Sequence, residues 1–120
     1  MSVHINGKTY NAEYMTSPEQ ISTGMMNRNS LGGCMVFKMG KGHHSFWMKN
    51  CLIPLDIVFV LNNRISRIHN NCEPAGNRIN IPKYTGIGDH VIEFPAGSAN
   101  NFKVGDRVSM YLGSPQNPVR

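Results

Sequence analysis

A chain of 120 residues, 40% apolar and only 16% charged, has room for one domain and one modest core, not two. Its net charge of +5 comes from scattered Lys and Arg, no two of them adjacent. That pattern excludes the basic run expected of a nucleic-acid binder.

Residues 1–7 have neither the basic nor the apolar region of a signal peptide, and no apolar stretch is long enough for a membrane-spanning helix. The expected location is therefore the cytoplasm, or a virion if the chain is phage-encoded, with no membrane partner. Cys34, Cys51 and Cys72 are odd in number and form no Cys-x-x-Cys pair, which argues against a disulfide framework and a zinc ribbon. Buried free thiols are expected, and Cys51–Cys72 is the only bridge worth weighing. Fourteen asparagines and 12 glycines point to many tight turns between short strands.

In chain order, Asn6-Gly7 between β-forming residues predicts a hairpin whose second arm reaches about Tyr14. Ser17-Pro18-Glu19-Gln20 predicts a capped helix start, with Gln20 reaching back to close a capping box. The helix is expected to run about three turns, burying Ile21 and Met25 and ending at Asn29-Ser30. Residues 34–37 read as a strand, 40–44 as a flexible Gly-rich loop, and 46–48 as extended chain. Pro54 fixes a bend or an edge, and residues 56–61 read as a central strand. Asn62-Asn63 is a second turn. On the returning strand, 64–69, Ile65 and Ile68 are three apart, so a bulge is expected. Residues 70–76 read as loop, 79–81 as a brief strand, 82–88 as irregular and 90–94 as a strand. Residues 98–102 read as a helical turn and 107–112 as the last strand. The whole predicts one domain over 1–112 and a Pro-containing tail over 113–120. The fold class is α+β, mainly antiparallel β, a small barrel or sandwich with one or two short helices.

The motif order resembles the family called domain of unknown function 192. The resemblance rests on Ser17-Pro18-Glu19, Gly33-Cys34-Met35-Val36-Phe37, Phe46-Trp47-Met48-Lys49-Asn50-Cys51 and Leu52-Ile53-Pro54-Leu55-Asp56. Pro95-Ala96-Gly97-Ser98-Ala99 and Gly105-Asp106-Arg107-Val108 complete it. It spans nearly the whole chain and implies a mostly β, barrel-like domain with short helices and no settled biochemical role. Cys51 stands where the family usually has Thr.

The densest chemistry is at Trp47, Lys49, Asn50 and Asp56. Two readings compete there. In one, Lys49 and Asp56 form an ion pair across the Pro54 bend and Asn50 satisfies loop backbone. In the other, the four make a ligand or partner site beside an aromatic wall. No base–nucleophile pair is legible, so no catalytic residue is assigned. His43-His44, His69 with Cys72, and Cys51 fit no standard metal spacing, so neither metal nor cofactor is expected. A polar terminus with two prolines is expected to be ordered only where something holds it, which makes Pro115, Asn117, Pro118 and Arg120 candidate partner contacts. The expected role is a non-catalytic binding or assembly module docking on a protein partner, such as a decoration component of a phage capsid or similar particle. The alternative is a small-molecule or glycan-binding domain at the Trp-Met-Lys-Asn corner, with weak hydrolysis as its furthest extension.

Overall fold

The computed structural model describes residues 1–113, so the tail positions Pro115, Asn117, Pro118 and Arg120 lie outside the described residues. The elements are β1 (Ser2–Ile5), β2 (Lys8–Met15), α1 (Pro18–Thr23), β3 (Cys34–Trp47), β4 (Leu55–Leu61), β5 (Arg64–Cys72), β6 (Lys83–Pro95) and β7 (Ser109–Tyr111). The strands form one curled sheet in the order β5-β4-β6-β3-β2-β1-β7, a half-barrel. Among these strands only β2 and β3 pair in parallel.

Local chemistry explains the first elements. Asn6 and Gly7 both have positive φ, at 52° and 78°, and turn β1 into β2. Ser17 caps α1, and Gln20 bonds back to the Ser17 amide at 3.1 Å, closing the capping box. The helix is shorter than expected, six residues instead of three turns. Gly24 ends it with φ 44°, and a side chain there would meet the Phe37 ring. Met25 is buried all the same, just beyond the helix.

The sheet is curled until its edges meet. Asn63 accepts from the Val108 amide at 2.8 Å, and Ile65 exchanges backbone bonds with Gly105 and Asp106 at 2.8 and 2.9 Å. A bridge between Arg64 and Arg107 joins the start of β5 to the approach to β7. Inside the curl lie Val3, Ile5, Val36, Val58, Ile92, Phe94 and Val108. A second cluster covers the opposite face, built on Met35, Phe37, Leu55, Ile57, Phe59 and Val91 and roofed by Met25, Met48, Cys51 and Ala75. The single core expected from composition is thus two, because one sheet supplies both faces from alternate residues of the same strands.

Two segments read as irregular are strand. β3 continues through residues 40–44 with a register shift between Lys38 and Gly42, and β6 begins at Lys83. Together they form a two-stranded arm, Gly42↔Gly88 to Trp47↔Lys83. Glycine is needed there: a Cβ on Gly86 would stand 2.6 Å from the Phe59 ring, which the arm crosses. The expected bulge is present, since Phe59 pairs Arg67 while Val60 pairs Ile65. β5 runs on to Cys72, into the first part of the stretch 70–76 read as loop. Residues 79–81 form no strand, residues 98–102 make overlapping reverse turns instead of a helical turn, and the last strand is only Ser109–Tyr111.

Candidate functional site

β3 ends at Trp47, and the chain then turns a tight corner. Asn50 adopts φ 56°, a left-handed conformation that asparagine tolerates. Its amide donates to Gly76 and its carbonyl accepts from Asn27, both at 2.8 Å. The Met48 carbonyl accepts from Cys51 and Ala75 at 3.2 and 3.1 Å. The corner is therefore fixed to two loops by its backbone, and the Asn50 side chain has no part in these bonds.

On this support Trp47 is 43% exposed. The Lys49 ammonium lies 5.2 Å from the Trp47 ring centroid, a cation–π contact. Between the arm and α1 runs a cleft of about 210 Å³ lined by Ile21, Ser22, Met39, Ser45, Phe46 and Trp47. The corner thus presents an aromatic ring, a cation and an apolar trough on a rigid base.

Asp56 belongs elsewhere. It is fully buried, and on β4 it shares the inner face with Val58 and Val60. Its Oδ1 accepts from the Asn71 amide at 2.8 Å, and its Oδ2 accepts from Gly97 and Ala99 at 3.0 and 2.9 Å. The expected Lys49–Asp56 ion pair does not form. Three backbone amides saturate the carboxylate, and the lysine faces the indole. Asp56 thereby pins the Gly97–Ala99 turn over one end of the curled sheet, and the structure brings together only Trp47, Lys49 and Asn50.

A second buried carboxyl carries no motif. Glu93 pairs Met35 on one side and Ile57 on the other, within the outer apolar cluster. Burial pushes its carboxyl up to about 8. Its one sequence signal is parity, since it falls on the same face as Val91 in a strand too apolar for a solvated charge.

The thiols are inert. Cys34, Cys51 and Cys72 are all free and buried, so no Cys51–Cys72 bridge exists. Burial lifts each to about 12, and the Glu93 charge adds to the rise at Cys51 and Cys72. Two histidines serve the backbone: His44 Nε2 donates to the Gly40 carbonyl at 2.5 Å and His69 Nε2 to Thr85 at 2.8 Å. His69 also packs edge-on against Phe59 and Tyr84.

The model of domain of unknown function 192, described as an uncharacterized ACR, matches residues 1–110. The chain belongs to this family. No curated protein matches it significantly by sequence. Among solved structures, one of a Novosphingobium aromaticivorans protein of unknown function is 28% identical, with a TM-score of 0.79, over 91% of this chain and 84% of that one. A Sinorhizobium meliloti protein, described only as a candidate transcription regulator, is 28% identical with a TM-score of 0.76, over 90% of this chain and 91% of that one. The barrel-like β fold that the family resemblance implied is the fold observed.

Proposed function

We infer that this domain is a non-catalytic binding module that docks on a protein partner through the Trp47 corner. The observation that carries the reading is the contrast between Trp47 and the groups around it. The one tryptophan is displayed on a fixed corner beside an apolar cleft, while the groups able to do chemistry are spent on the fold. Asp56 holds three amides, and the thiols stay protonated at neutral pH. Half-exposed tryptophan with a neighbouring cation is the kind of anchor that dominates protein interfaces. The small-molecule or glycan reading loses a member of its site, because no carboxylate from Asp56 reaches the corner.

The test is capture of full-length tagged protein, wild type and Trp47→Ala, from the organism that encodes it, with quantification by mass spectrometry. A partner at constant stoichiometry that Trp47→Ala loses supports docking. A shell protein in that position would make the domain a particle decoration component. A wild type that elutes alone as a monomer overturns the reading and directs attention to ligand screening at Trp47.

A further inference from the structure

The arm formed by β3 and β6 has two edges, and among the described residues only one of them is capped. Along β6, Ser66 Oγ donates to the Ile87 carbonyl at 2.6 Å and His69 Nε2 donates to Thr85 at 2.8 Å. Side chains of β5 thus satisfy that edge. Along β3, pairing with β2 stops at Met15↔Phe37, although the strand continues to Trp47. Beyond Phe37 the one described bond to β3 besides its pairing with β6 runs from His44 Nε2 to the Gly40 carbonyl, at the register shift. Among the described residues nothing pairs with the outer edge of residues 42–47, which lies next to the cleft lined by Ile21, Met39, Phe46 and Trp47. An unpaired edge is a ready template for another strand, and proteins normally blunt it.

Building on the docking reading, we propose that this edge takes up an extended, acidic peptide segment of the partner as an added strand. Backbone amides and carbonyls of residues 42–47 would supply the pairing, and every second side chain of the incoming strand would fall over the cleft. Charge selects the occupant. Lys38 and Lys41 stand at one end of the edge and Lys49 at the other, and none is ion-paired among the described residues. Asp89, the acid whose carboxyl feels Lys41, is already engaged by the Asn62 amide and His90. A second copy of this chain would set lysine against lysine, whereas a strand with carboxylates near its ends would meet a cation at each. The lysines thus refuse self-association and admit one class of partner.

The experiment follows backbone amide exchange by NMR in the full ¹⁵N-labelled chain, alone and with two synthetic peptides. Each peptide alternates valine and threonine, with glutamates at both ends in one and lysines in the other. The glutamate peptide should slow exchange within residues 42–47 by about tenfold or more, and the lysine peptide should not. Lys41→Glu combined with Lys49→Glu should reverse that preference. Equal slowing by both peptides, slowing by neither, or slowing that grows with protein concentration alone overturns the proposal. Docking and edge addition fail separately. A complex that needs Trp47 but leaves residues 42–47 exchanging as in the free chain removes only edge addition. Failure to retain any partner removes both.

Discussion

Asp56 and Glu93 stand one strand apart, with Asp56 opposite Phe94 and Glu93 opposite Ile57, yet their side chains enter opposite faces of the sheet. Both carboxyls are buried. Asp56, on the inner face, accepts three backbone amides and ties a turn down. Glu93, on the outer face between Met35 and Ile57, gains no such amides in its favour, and burial pushes its carboxyl up to about 8. Burial alone therefore does not set what an acid does. The amides within reach decide whether it staples the fold or strains it.

Removing each acid should have opposite consequences. Asp56→Ala strands three amides and should cost about 3–5 kcal/mol in urea unfolding, or prevent folding outright. A loss under about 1 kcal/mol would mean that water replaces the carboxylate, and would erase the contrast between the faces. Glu93→Gln should instead stabilise. The unfolded chain releases the Glu93 proton near its ordinary value of 4.5, while the fold holds it to about 8. This group's contribution is thus fully present below pH 4.5, is lost as pH rises toward 8, and is level above that. The gain from Glu93→Gln should accordingly grow across that window, to on the order of 3 kcal/mol near pH 7. Wild type and variant with parallel stability–pH curves would refute the outer-face assignment.

Gly86→Ala probes the outer face without touching charge. Its new methyl group meets the Phe59 ring, so a cost of about 2 kcal/mol is expected from thermal unfolding. No loss would show that the arm lifts freely from the cluster. The smallest effect belongs to Lys49→Ala. It removes one cation–π contact at a half-exposed ring and should cost under about 1 kcal/mol while shifting Trp47 fluorescence. Unfolding of that variant would restore a structural role for Lys49.

Signals that work over a few residues were legible in the sequence. The Asn6-Gly7 and Asn62-Asn63 turns, the Ser17 capping box and the β5 bulge all depend on neighbours in the chain. The arm was hidden because its glycines read as loop, while in the fold they make room for Phe59 and for the Val60 carbonyl. Helix length is not legible because Met25 keeps helical spacing yet is buried after the chain has left the helix. At the candidate site, the motif from Trp47 to Asp56 is legible in the sequence but its pairing is not. An aspartate destined for distant amides looks the same in sequence as one destined for a nearby lysine. The turn carrying Gly97 and Ala99 was visible as a motif, but nothing in one sequence joins it to Asp56. Glu93 had only its parity to betray it.

The pairing of β1 with β7 sets a schedule for biosynthesis. Val3 and Ile5 belong to the interior, but one edge of β1 has no partner until Ser109–Tyr111 is made. While the segment between β1 and β7 is being made, the barrel is therefore open and the first hairpin keeps one sticky edge. Closure comes only after the final strand clears the exit tunnel. Truncations that stop before Ser109 should consequently leave a nascent product that depends on chaperones, however well its local turns have formed.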